Sequence, residues 1–177
     1  METPQSLVYL RPVKASELDL LITWTNDIEH TSEYNFFGYK HVDYIREEYA
    51  KNGLLDPRGG SLLVIEKLSD DILGTVGYHQ ISYGPNDGSK VYNIGISLSP
   101  EHRNKGYGSE AQRLFAAYLF ETYTIMRIEA STDISNLAEQ RALEKAGFSR
   151  EGIARQAQWR KGAWHDLMVY SKLRGEV

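Results

Sequence analysis

"PEHRNKGYGSEAQRLFAAYLF", residues 100–120, is the stretch on which the reading of this chain turns. Arg103 and Lys105 stand just before two close glycines, Gly106 and Gly108. Behind them Ala111, Leu114, Phe115, Tyr118 and Leu119 fall on one stripe of a long amphipathic helix. A helix start carries unpaired N–H groups and the positive end of a dipole. Glycines there let an anion approach the main chain, and the Ser109 hydroxyl adds a donor. A diphosphate suits such a loop. A glycine-rich turn with solvated charges is an equal reading of these residues alone, because short motifs are weakly specific.

A dinucleotide reading competes. "GYGSEA" (106–111) also satisfies G-x-G-x-x-A after a strand, and Asp133 ends the next strand, close to the nicotinamide-dinucleotide fingerprint. Three features oppose it. The preceding strands are joined by turns too short for parallel crossovers. Too little chain follows Gly108 for the second half of a doubly wound sheet. Arg103 and Lys105 have no counterpart in that motif. An NAD(P)-dependent oxidoreductase stays as an alternative.

Working outward, "SLVYLRPV" (6–13) alternates apolar and polar residues as a first strand. Ser16 is expected to cap a helix carrying Leu18, Leu21, Ile22 and Thr25 on one face, with Asp19 completing a short capping box. Residues 26–41 show no clear period, and a second helix is expected from Asp43 to Lys51, stopping at Asn52-Gly53. "SLLVIEKL" (61–68), "ILGTVGYHQISY" (72–83) and "KVYNIGISLS" (90–99) read as an antiparallel meander. "MRIEASTD" (126–133) is a strand and "NLAEQRALEKAG" (136–147) a helix closed by glycine. The tail reads as two strands turning near Lys161-Gly162. The order β-α-α-β-β-β-α-β-α-β-β, without repeat or linker, predicts one α+β domain over residues 1–177.

Composition narrows the function classes. The 177 residues suffice for one domain with a core, and no apolar run approaches the roughly 18 residues that cross a bilayer. "METPQSLVYLRPV" does not read as a signal peptide, so a cytoplasmic protein without membrane association is the expectation. A net charge of −4 argues against coating nucleic acid. Cysteine is absent, which removes disulfides, thiolate metal sites and a cysteine nucleophile. No metal is expected.

R-x-x-G-x-G, met by Arg103, Gly106 and Gly108 after the strand "NIGISL", resembles the signature of the GNAT superfamily of acyl-CoA-dependent N-acyltransferases. "DISNLAEQRALEKAGF" is similar to the family's second block, in which an asparagine, here Asn136, opens a helix ending in E-K-x-G-F. "LRPV…ELDLL" and "WHDLMVYSKLR" resemble its first and last elements, so the likeness runs over nearly the whole chain. Within the superfamily, "RIEAST…N…ALEKAGF" and "VYSKLR" resemble the subgroup of ribosomal-protein N-terminal acetyltransferases.

The resemblance implies a mixed, mostly antiparallel sheet with helices on both faces and two strands splayed around acetyl-CoA, the co-substrate. By position, backbone groups around Ile96 and Leu98 would hold the pantetheine arm. Arg103, Asn104, Lys105, Gly106, Tyr107, Gly108 and Ser109 would wrap the pyrophosphate. Asn136 would approach the pantetheine or the leaving sulfur, and Arg141 with Lys145 the 3′-phosphate and adenine. The Leu98 N–H is the expected donor to the oxyanion. Without cysteine, an amine attacks the thioester directly in a ternary complex. Three positions depart from the family pattern: Leu143 replaces the usual tyrosine, Glu139 the subgroup's serine, and Asn93 a common carboxylate. Glu129 and His79 are the candidate proton carriers, while Asp133 and Ser135 read as helix caps.

The acceptor is expected between residues 29–41, with Tyr34, Phe36, Phe37 and Tyr39, and the tail residues Trp159, Trp164 and His165. Glu29, Glu33 and Asp166 supply negative charge there. An amino sugar, aminoacyl compound, polyamine or protein N-terminus would fit, and exposed aromatics at 34–39 hint at a homodimer. The missing tyrosine leaves a non-catalytic acyl-CoA sensor as the other alternative.

Overall fold

The computed structural model describes residues 6–176; the reading of Met1–Gln5 as the chain's start lies outside them. Hydrophobic alternation builds the middle of the sheet. In β3 (Gly59–Glu66), Leu62 and Val64 face one core while Leu63 and Ile65 face a second core on the opposite side. β3 pairs with β1 (Val8–Arg11), with the short β2 (Leu55–Asp56) and with β4 (Ile72–Ser82), always antiparallel. β4 continues the meander into β5 (Lys90–Leu98). β6 (Arg127–Asp133) follows in space, then β8 (Ala163–Leu173) and β7 (Ser149–Arg160), giving the path β1-β3-β4-β5-β6-β8-β7. Among the described residues only β5 and β6 run parallel.

That junction opens. The β5–β6 ladder ends at Ile94 opposite Ala130. Yet β5 stays on β4 as far as Leu98, and β6 stays on β8 as far as Asp133. The two halves of the sheet therefore diverge beyond Ile94.

Helices cover both faces. α4 (Tyr107–Thr122) and α5 (Leu137–Lys145) bury Ala111, Phe115, Leu119 and Leu143 against the larger core. On the other face α1 (Leu18–Thr25) buries Leu18 and Leu21, and α3 (Tyr44–Asn52) adds Ile45 and Tyr49. The Gly53 N–H closes α3 on Tyr49 O at 2.7 Å, as the Asn52-Gly53 stop predicts.

One local expectation needs correction, and two short elements were not assigned from the sequence. Ser16 does not cap: a single 3-10 turn over Ala15–Glu17 precedes α1, and the Glu17 carboxylate accepts the Lys14 N–H at 2.8 Å while pairing with Arg11. Ion pairing across the turn wins over the shorter hydroxyl. Residues 26–41 hold α2 (Ile28–Asn35), started by Asp27 accepting the Glu29 N–H at 2.8 Å and kinked at Ser32, where φ is 65°. Its helical pieces are too short for a period to show, and such pieces persist only through tertiary support. β2 was likewise too short to read.

Candidate active site

On the donor side, Gly106 sets the geometry. It precedes α4 with φ at 87°, a left-handed conformation that glycine adopts without the Cβ penalty. The first helical bond runs from the Glu110 N–H to Gly106 O. Among the described residues, no acceptor bonds the N–H groups of residues 104–109. A Cβ added to Gly108 would lie 3.7 Å from Leu98 Cδ1 and 3.9 Å from Ile96 Cδ1, so α4 begins directly behind the open edge of β5. Bare amides at a helix start next to a split in the sheet fit a diphosphate with an attached linear arm.

The side chains of the loop are placed otherwise than the residues suggested. Arg103 donates through Nε to Leu98 O at 2.9 Å and through Nη2 to Glu29 O at 2.9 Å and His30 O at 2.6 Å. Its guanidinium ties β5 to α2 instead of turning to the amides. The Tyr107 hydroxyl donates to Glu66, and the Ser109 hydroxyl to Gly106 O at 2.9 Å. Asn104, at φ 60°, and the exposed Lys105 complete the turn. What the loop presents is main chain plus Lys105.

Across the split, Asn136 caps α5: its Oδ1 accepts the Glu139 N–H at 3.2 Å, and its Nδ2 donates to Thr132 Oγ1 at 3.1 Å. Both ends of the amide are engaged. Asp133 Oδ1 accepts the Ser135 N–H at 2.8 Å and hydroxyl at 2.7 Å. Its Oδ2 meets the buried Arg160 guanidinium and His165 Nδ1, the latter at 2.8 Å. Burial alone would raise the Asp133 pKa, but the two Ser135 bonds and Arg160 outweigh it and hold the carboxyl well below the usual range. Arg160 also donates to Tyr34 O at 3.3 Å and lies over the Tyr34 ring. Arg141 is exposed on α5.

On the other sheet face an open cleft of about 1250 Å³ runs beneath α1, α2 and α3. It reaches the split, since Ile96 and Ser97 line it from β5 and Ser131 from β6. His79 lines it from β4, cross-strand neighbour of Asn93 on β5. Phe36, Phe37 and Tyr44 stand in its wall, and Lys40 Nζ lies 5.2 Å from the Tyr44 ring centre. The carboxylates in the lining are Glu48 and Asp56, from α3 and β2, which sequence reasoning missed.

Other expected acceptor residues lie elsewhere. Glu33 pairs with Lys161, and Asp166 Oδ1 accepts the Gln156 N–H in an irregular stretch of β7. Trp159 and Trp164 pack edge to face on the exposed β7–β8 hairpin. Glu129 is buried, and its Oε1 accepts from Arg127 Nε and the Tyr83 hydroxyl, each at 2.6 Å. Glu129 does not line the cleft. Its carboxylate is engaged by Arg127 and Tyr83. His30 is buried, stacks on Trp24 at 4.2 Å, and has its pKa pushed down to about 4 by burial and the Arg103 charge.

Residues 8–149 match the acetyltransferase (GNAT) domain family. This chain belongs to that family. The GNAT fold accounts for the split sheet, and relatives carry the same class of name. An uncharacterized N-acetyltransferase, p20, of Bacillus licheniformis is 27% identical over 94% of this chain and 93% of its own length. A ribosomal-protein-serine acetyltransferase of Escherichia coli is 21% identical over 72% of this chain and 69% of its own length. Spermidine N-acetyltransferase from Vibrio cholerae, solved with CoA and spermine, shares the fold at a TM-score of 0.82, with 21% identity and 97% and 98% coverage. The chain is thus a GNAT N-acetyltransferase, and the doubly wound dinucleotide sheet is not the architecture observed. Among the described residues no helix is long and apolar enough to cross a membrane.

Proposed function

We propose that this enzyme moves the acetyl group of acetyl-CoA to a primary amine held in the cleft under α1–α3. One observation carries the reading: the sheet parts beyond Ile94 where the unbonded amides of α4 begin on one side and the cleft arrives on the other. Acetyl-CoA supplies an acyl group activated as a thioester. The chain's part is to hold, orient and desolvate it. The amides of residues 104–109 take the diphosphate, with Lys105 as the nearest cation. Carbonyls of Ile96 and Leu98 accept from Asn35 Nδ2 and Arg103 Nε, so these residues turn their polar groups away from β4. Ladder alternation sends their N–H groups the same way, toward the split, and the Leu98 N–H is suited to a developing oxyanion.

His79 takes the amine's proton, directly or through water, because it is the titratable side chain exposed in the cleft on the strand next to β5. The aromatic faces of Phe36 and Phe37 in the cleft wall suit an acceptor that arrives as a cation. Amino sugars, aminoacyl compounds, polyamines and peptide N-termini form the panel to test, by free thiol release from acetyl-CoA. Thiol release with some of these amines is the expected result. Tight CoA binding with no transfer to any of them identifies a sensor, and NAD(P) binding without response to CoA overturns the donor assignment. His79→Gln should lower kcat about 100-fold while leaving CoA affinity unchanged; an unaltered kcat removes His79 from the chemistry.

A further inference from the structure

The acids expected around the acceptor, Glu29, Glu33 and Asp166, do not line the cleft. Its charged lining residues are Lys40, Glu48, Lys51, Asp56 and Arg58, so cations outnumber carboxylates. Each of the two carboxylates already has a cation beside it. Glu48 Oε1 meets Lys51 Nζ at 2.7 Å within α3. Asp56 Oδ1 accepts the Arg58 N–H at 2.9 Å and lies 3.5 Å from Arg58 Nε. The lining histidines, His30 and His79, bring no negative charge. Lys40 is the charge left over: among the described residues no carboxylate pairs with it. Asp19 pairs with Arg46, Glu33 with Lys161, and Asp43 faces His41 at 3.6 Å.

The position of Lys40 is set by its main chain. Asn26, at the end of α1, donates through Nδ2 to Lys40 O and accepts the Lys40 N–H on Oδ1, both at 2.9 Å. This clamp fixes a residue in a stretch without regular structure, and the Tyr44 ring under Nζ narrows where the ammonium can go. Asn35 anchors the same segment at the split, donating to Ile96 O at 3.4 Å. A fully extended chain covers at most about 3.6 Å per residue, so the Lys40 main chain stands within roughly 18 Å of Asn35. One small molecule can reach from the split to Lys40. A lysine on open surface would discriminate between ligands only a few-fold. Between apolar walls, here Leu21, Phe36, Phe37 and Ile45, its field is focused and screened less.

We propose that the acceptor carries an anionic group, a carboxylate or a phosphate, on the same molecule as its amine, and that Lys40 binds that group. The inference rests on the transferase reading above and narrows its acceptor. The amine end lies toward His79 and the split, and the anionic end lies at Lys40. A polycation would instead bring a second ammonium to the unbalanced lysine. Discrimination thus comes from attraction of one class and repulsion of the other, and exchanging the sign of the ligand's far end changes both at once.

Matched amines test this. 4-Aminobutanoate against 1,4-diaminobutane exchanges a carboxylate for an ammonium, and glucosamine 6-phosphate against glucosamine adds a phosphate. Thiol release from acetyl-CoA gives kcat/KM for each, and calorimetry on the CoA-loaded protein gives binding without requiring transfer. The anionic member of at least one pair should be favoured tenfold or more, through KM, with the ratio shrinking as ionic strength rises. The pair that shows the preference tells carboxylate from phosphate. Lys40→Gln, an exchange at an exposed position, should bring the ratio toward one, and Lys40→Arg should keep it. Equal or better use of the counterpart in both pairs overturns the inference, and so does a preference that survives Lys40→Gln. Binding of neither anionic amine overturns it as well. If an anionic amine binds through Lys40 but no thiol is released, the inference stands and the transferase reading falls. Thiol release with 1,4-diaminobutane in preference to 4-aminobutanoate, and with glucosamine in preference to its phosphate, does the reverse.

Discussion

The start of α4 and the whole of α2 flank the same opening in the sheet, but they are held in place in different ways. At α4 the structure comes from neighbours in sequence: Gly106 sets the left-handed turn, Ser109 bonds back to it, and the amides stay bare. At α2 the local cap by Asp27 is joined by contacts from far along the chain. Arg103 holds the Glu29 and His30 carbonyls, Asn35 reaches Ile96 O, and Arg160 reaches Tyr34 O. Main chain at a helix end recognises an anion with few sequence requirements, whereas a cleft for an amine is assembled from remote side chains. The donor can thus be shared across a family while the acceptor is rebuilt in each member.

Arg103→Ala is the strongest way to break this contrast. It strips donors from three carbonyls and should cost roughly 2–3 kcal/mol of stability, read as a lower urea midpoint. Because the guanidinium faces α2, the acceptor KM should rise several-fold while CoA affinity changes little. If CoA affinity instead collapses with the acceptor KM intact, Arg103 serves the phosphates, as its position in the motif first suggested.

Gly106→Val should act in the opposite sense. A left-handed conformation costs a β-branched residue about 1–2 kcal/mol or more, and any shift to relieve it moves the bare amides. CoA should bind roughly tenfold more weakly by calorimetry, with the acceptor KM close to wild type. Equal losses for both substrates would mean that the two sides are not separable.

The smallest effect concerns His30, which stays neutral in the fold down to about pH 4. From about pH 6.5 downward the unfolded chain takes up a proton that the folded one does not, so stability falls with pH. His30→Phe keeps an aromatic ring for Trp24 and should remove on the order of 1–2 kcal/mol of this loss, measured as the difference in unfolding free energy at pH 7 and 5. A variant that follows the wild-type curve shows that His30 titrates freely and that the α2 contact is looser than described.

Legibility followed the same divide. The strands, α4 and α5 stand where alternation and the amphipathic stripe put them, since each buries one face over many residues. α2 escaped detection because its pieces owe their order to Arg103 and Arg160. The ionic partners were the hardest to foresee. Glu129 as a strand glutamate gives no hint of Tyr83, which lies far from it in sequence, and Glu48 and Asp56 enter the cleft from elements that looked purely structural.

The sequence by itself determined that two close glycines would open a long helix whose start leaves N–H groups unpaired, because a helix end and the apolar stripe act within a few residues. It also determined the strands whose alternation feeds two cores. Only the tertiary structure decided where Arg103 points, that Tyr83 joins Arg127 on the Glu129 carboxylate, and that Gln112 Oε1 is buried without a partner among the described residues. Charge and hydrogen bonding depend on partners distant along the chain and on how much water reaches them, and neither is written in the local pattern.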